Sequence, residues 1–146
     1  MPTIRSNADR AAILARLRAL TATAQPQWGT FTAPRALCHL ADQLRVGLGE
    51  IPAVPRGNFA TRTLLKWLVV YSPLRAPPGK AQTSPEMLTT APAAWGADLQ
   101  ACEQLLERLA KATSAPSHPF FGPLSPSGWG RLACKHLDHH LRQFGL

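Results

Sequence analysis

Apolar residues return at helical spacing along most of this chain, and proline-rich stretches separate the runs. From Asn7 to about Thr21 the residues Ile13, Leu14, Leu17 and Leu20 share one face. Ser6 and Asp9 stand at capping-box spacing ahead of them. A second helix is predicted from Pro34, a residue suited to a first turn, to Leu48, with Leu37, Leu40, Leu44 and Leu48 as its stripe. Gly49 and the Pro52/Pro55 pair end it. Residues 59–71 are apolar almost all round, which predicts a third, well-buried helix. Trp67 to Tyr71 would also suit a strand, but no second strand exists to pair with it. A fourth helix, about Pro92 to Ala112, carries Leu99, Cys102, Leu105, Leu106 and Leu109, and Ser125 with Pro126 makes a good start for the last. The connection from Ser72 to Pro92 holds five prolines, and loops of that length are often functional or wrapped across a surface. With no internal repeat and no alternating ladder, the pattern predicts an all-α helical bundle, residues 1–146 forming one domain.

Composition narrows the partners. The formal charge is +8, from 16 basic and 8 acidic residues. The basic residues are scattered from Arg5 to Arg142, never three together, with no aromatic-interleaved basic tract of the kind that grips single strands. A solvated basic surface is the reading this favours; nucleic acid ranks last among the partners, and an anionic small-molecule substrate is compatible. The longest apolar run, Leu64 to Tyr71, is interrupted by Lys66 and falls short of the roughly 18 residues of a membrane span. The start, Met1 to Asn7, lacks the apolar core of a secretion signal, so a cytoplasmic location is expected. Cys38, Cys102 and Cys134 are odd in number and widely spaced, which predicts reduced, buried side chains rather than disulfides or a cysteine zinc site. Long apolar helices often pair, so a homodimer is compatible with the pattern.

The chemistry concentrates in the last helix. Three of the five histidines, His136, His139 and His140, lie within five residues. His136 and His140 are one turn apart and project from nearly the same side, together with Trp129, Leu132, Ala133 and Phe144. Arg131, Lys135, Asp138 and Arg142 fall on the opposite side, a predicted solvent stripe, with His139 at the boundary. Two imidazoles on an inward face either hydrogen-bond separately in the core or share a metal ion. The zinc-protease signature is excluded, because Leu137 stands where that motif needs Glu, and an outward Asp138 is a poor base. A third ligand would have to be His39 or His118. His118 sits in the loop His118-Pro-Phe-Phe-Gly122 and reads as a turn residue, while His39 lies off the centre of its leucine stripe and reads as partly exposed.

The ending Lys135-His-Leu-Asp-His-His-Leu-Arg-Gln-Phe-Gly145 resembles the last helix of the DinB/YfiT-like superfamily of metalloenzymes, and Cys38-His-Leu-Ala-Asp-Gln-Leu44 resembles its second helix. Pro77-Pro-Gly-Lys-Ala-Gln-Thr-Ser-Pro-Glu86 and His118-Pro-Phe-Phe-Gly122 are similar to an uncharacterised subgroup of it. The resemblance implies a four-helix bundle, with up to five helices and long proline-rich connections. It implies one divalent metal ion, zinc, nickel or iron alike, with His39, His136 and His140 as ligands and His139 as an accompanying residue. Characterised relatives are thiol-dependent transferases and isomerases using low-molecular-weight thiols such as bacillithiol or mycothiol. For this chain it therefore implies a metal-dependent, thiol-using transferase of small electrophiles or, as a sibling, a hydrolase; a non-catalytic metal- or ligand-binding module is the alternative. Asp42 and Gln43 are candidates for orienting an imidazole, Asp42 being otherwise a solvated carboxylate. Arg45, two turns beyond His39, is a candidate for holding an anionic thiol.

Overall fold

The computed structural model describes residues 1–79 and 83–146. Four α-helices make the frame: α1 (Asn7–Ala19), α2 (Ala33–Leu48), α3 (Trp95–Lys111) and α4 (Pro126–Gln143). Between α2 and α3 run two π-helical stretches, Thr61–Leu65 and Trp67–Tyr71, and a 3₁₀ turn, Pro85–Leu88. Among the described residues there is no strand, only a single antiparallel bridge between His118 and Gly122. The chain is an all-α helical bundle.

The starts follow from side-chain caps. Ser6, Thr32 and Ser125 each accept a hydrogen bond from the backbone N–H three residues on, opening α1, α2 and α4. The capping box at α1 is only half formed, because the short Asp9 carboxylate accepts from Thr3 N–H. Helix α2 stops where Gly49 turns left-handed, at φ 75°.

α2 lies along α3, and α1 along α4. Their shared core holds Ile13 and Leu17 from α1, Leu37, Leu40 and Leu44 from α2, Leu106 and Leu109 from α3, and Leu137 and Leu141 from α4. Full burial of each such side chain is worth about 1.5–3 kcal/mol relative to exposure. A second cluster, with Val46, Val70, Met87, Phe121, Leu124 and Trp129, fastens the long connections to the bundle. Trp129 is fully enclosed there and donates its indole N–H to Pro116 O at 2.8 Å. Cys38, Cys102 and Cys134 are free and buried, and burial pushes the Cys102 thiol up to about 12.

The segment 59–71 is helical, but its expected burial is overturned. Phe59, Leu64 and Trp67 are 83%, 71% and 59% exposed, and only Val70 is fully covered. The segment lies on the outside of α4, so one narrow side meets protein and the remaining apolar side chains face outward. Lys135 explains its attachment. Expected in the solvent stripe, it instead donates to the carbonyls of Val69 (2.7 Å), Ser72 and Leu74 (3.1 Å), closing the segment's end onto α4. Asp138, half-buried, pairs with Arg16 of α1 at 2.8 Å and with Arg142 at 2.9 Å. Just before the segment, Gly57 passes so close to the turn at 118–122 that a Cβ would stand 1.9 Å from Phe120 O. Among the described residues no helix is long and apolar enough to cross a membrane. Lys80, Ala81 and Gln82, the middle of the motif from Pro77 to Glu86, lie outside the described residues.

Candidate metal centre

α2 and α4 bring His39, His136 and His140 together. One ring nitrogen from each lies within 4.8 Å of the others, and the ring centroids are 4.8–4.9 Å apart in every pair. His39 Nε2 and His136 Nε2 approach to 3.0 Å. His39 is 2% exposed, contrary to its expected partial exposure. The leucine stripe marks only one side of α2, and the connection at 84–90 folds over the other, so that Met87 covers the imidazole. Phe31, from the stretch before α2, packs on His39 and His140 at 5.2 and 5.8 Å between centroids.

Two of the three rings are turned by fixed acceptors. His39 Nδ1–H donates to Met87 O at 2.8 Å. His140 Nδ1–H donates to Gln143 Oε1 at 2.8 Å, and Gln143 in turn donates its Nε2–H to Trp28 O at 2.7 Å, which sets the amide's orientation. A ring that donates through Nδ1 carries its lone pair on Nε2, so both rings offer that atom as a ligand. His136 Nδ1 is enclosed and has no partner among the described residues.

The electrostatics keep these rings neutral. Burial lowers the pKa of His39 below 6.5 despite its bond to Met87. Burial drives His136 well below 6.5, and the neighbouring His39 and His140 add to the effect. Burial pushes His140 down to about 3, with His39 contributing. Neutral imidazole is the metal-ligating form. Three neutral imidazole nitrogens gathered at one point are the donor set of a divalent ion, so the residues present fit the group. The three-histidine cluster could hold a metal ion.

The other sequence candidates fall elsewhere. His118 is the turn residue expected: its Nδ1 accepts from the N–H groups of Phe120 and Phe121 at 3.2 Å, and its ring stacks on Phe121. His139 packs against Trp28 and the edge of His140, outside the cluster. Asp42 is not solvated but completely buried, held by Thr89, Thr90 and Arg45. Arg45 is accordingly committed to Asp42 and Thr90. Gln43 is buried, its Oε1 without a partner among the described residues. Gln143 and Met87 escaped sequence reasoning. Gln143 sits three residues after His140 on the same helix, a spacing that signals contact. Met87 lies 48 residues from His39 and acts through its backbone, which leaves no trace in residue type.

A family model described as Protein of unknown function (DUF1569) matches residues 6–145. The chain belongs to this family. DUF1569 lies within the DinB/YfiT-like superfamily, in agreement with the resemblance at the second and last helices. No curated protein and no solved structure matches the chain.

Proposed function

We propose that this DUF1569 protein is a metal-dependent enzyme whose His39, His136 and His140 hold one divalent ion, and that it joins a low-molecular-weight thiol to a small electrophile. The observation that carries the reading is the preset donor geometry: three neutral imidazoles converge, and two already have their Nδ1–H occupied. The superfamily membership supports the thiol as co-substrate by analogy of fold and ligand set. When bound, the ion would supply Lewis acidity and lower the pKa of a thiol or water brought to it.

The chain's own residues do the rest. Met87 and Gln143 keep His39 and His140 in the ligating tautomer, and Phe31 shields both rings from water on one side. The reaction forms a bond from thiol sulfur to an electrophilic carbon, the leaving group departs with its bonding pair, and the thiol proton passes to solvent. No carboxylate belongs to the cluster among the described residues, and a thiol acidified in this way needs none as base.

That same lack of a carboxylate favours a second reading, a module that binds a metal or a ligand without turnover. The arms are separated by assaying metal-loaded protein with chlorodinitrobenzene and monobromobimane against a panel of thiols, beside a hydrolysis panel. Metal-dependent conjugation, lost in His136→Ala, is the expected result. Protein that holds its ion and stays inert across both panels overturns the enzyme reading in favour of the module.

A further inference from the structure

Asp42 is a carboxylate with no exposure to solvent, one turn after His39 on α2. Burying a charge of that kind is costly unless every oxygen is satisfied. Here Asp42 accepts from Thr90 N–H at 2.8 Å, from Thr89 Oγ1–H at 3.1 Å, from Thr90 Oγ1–H, and from Arg45 at 3.0 Å. None of these partners is an imidazole. All but Arg45 belong to the two residues that follow the 3₁₀ turn Pro85–Leu88, and that turn carries the Met87 carbonyl on which His39 is anchored. Arg35, also on α2, reaches the same connection, residues 84–90, which forms a strap over the helix, donating to Leu88 O at 3.0 Å and Thr90 O at 2.9 Å. One helix face therefore grips the strap on both sides of Leu88, and His39 is oriented by what is gripped.

We infer that Asp42 is a positioning residue for His39: by fixing Thr89 and Thr90 it holds the Met87 carbonyl against Nδ1–H, and so keeps the Nε2 lone pair directed at the cluster. In many metal sites a carboxylate accepts directly from the ligand histidine. In this chain a backbone carbonyl takes that place and the carboxylate stands one step behind it. The inference rests on the three-histidine reading for its consequence, metal affinity, but its geometric content is independent of any ion.

The test uses the full chain and two readouts. The His39 tautomer is read by long-range ¹⁵N–¹H NMR on metal-free protein at neutral pH, and zinc affinity by competition with a chromophoric chelator. Wild type should show His39 protonated on Nδ1 alone. Asp42→Asn should mix the two tautomers and weaken zinc about 10–100-fold, the usual loss when a partner behind a ligand is removed. Thr90→Val deletes one grip, leaves the carboxylate in place, and should move both readouts in the same direction by less; it decides the matter if Asp42→Asn fails to fold. Folded variants with the wild-type tautomer and wild-type zinc affinity would overturn the inference and leave Asp42 a stabilising residue only. If wild type takes up no zinc, the three-histidine reading fails, while the tautomer readout still decides whether Asp42 positions His39.

Discussion

The two halves of the histidine cluster are held by different physics. On α4, His136 and His140 sit one turn apart on a single rigid helix, and the group that turns His140 is three residues further along it. On α2, His39 depends on a carbonyl 48 residues away, kept in place by Asp42 and Arg35. The first half is local in what it presents, both rings and the acceptor of one of them lying on a single helix, with only the amide of Gln143 fixed from outside by Trp28 O. The second exists only when a long connection has folded back over α2, so its precision comes from a polar network rather than from helical periodicity. The comparison teaches that equal ring-to-ring distances can rest on unequal supports, and that the supports should fail separately.

The largest effect should come from removing what seats the α4 half. Leu137 lies between the two ligand positions in sequence and is fully buried in the shared core. Leu137→Ala should cost about 2–5 kcal/mol in denaturant unfolding. A loss well under one kcal/mol would mean that α4 is not anchored through this residue.

Next come the two tethers. Gln143→Ala leaves His140 Nδ1–H and Trp28 O unpaired and should cost about 1–3 kcal/mol. Its NMR signature should be confined to His140, with the His39 tautomer unchanged. Arg35→Ala strips the strap of two donors and should do the reverse, disturbing His39 and sparing His140. If both variants perturb both rings equally, the halves are one unit and the contrast fails.

The smallest effects are in pH dependence. Burial pushes His118 down to about 4 from 6.5, so the folded ring stays neutral where the unfolded one protonates. The unfolded state then binds more protons, and stability should fall as pH drops from about 6.5 towards 4, less steeply in His118→Gln. Asp42 behaves otherwise. Burial alone would raise its pKa, but the bonds from Thr90, Thr89 and Arg45 outweigh that and hold it below 3.8. Its contribution should persist at neutral pH and be lost only as pH falls below about 3.8 through the lowered value. Asp42→Asn should flatten that acid limb while leaving the His118 limb intact.

The same contrast explains what was legible in the sequence. Helices α1, α2, α3 and α4 are readable because apolar residues at 3.6-residue spacing, the Ser6 and Ser125 caps and the first-turn Pro34 and Pro126 are local signals, although α3 begins at Trp95 without a side-chain cap. The inward side of His136 and His140 followed from the same arithmetic. His39 was misread as partly exposed because a stripe reports only the face that meets other helices, not one that a returning connection covers. Segment 59–71 was misread as buried for the converse reason: an apolar helix predicts burial only where there is enough protein to surround it. The helical step puts Lys135 and Asp138 on the side opposite the histidines, a predicted solvent stripe, whereas each has polar groups of a neighbouring element within reach there. The Met87 carbonyl and the orientation of Gln143 depend on the folded chain, and the residue pattern leaves His39 and His118 both open as partners of the α4 pair, between which the superfamily resemblance selects His39.

The central claim, that one ion is shared by imidazoles from α2 and α4, is tested most directly by elemental analysis of tag-free protein beside His39→Ala, His136→Ala and His140→Ala, each checked for folding by circular dichroism. The account predicts close to one divalent ion per chain in wild type and a loss of most of it in every folded variant. Metal absent from wild type, or retained in the variants at the wild-type level, would contradict it.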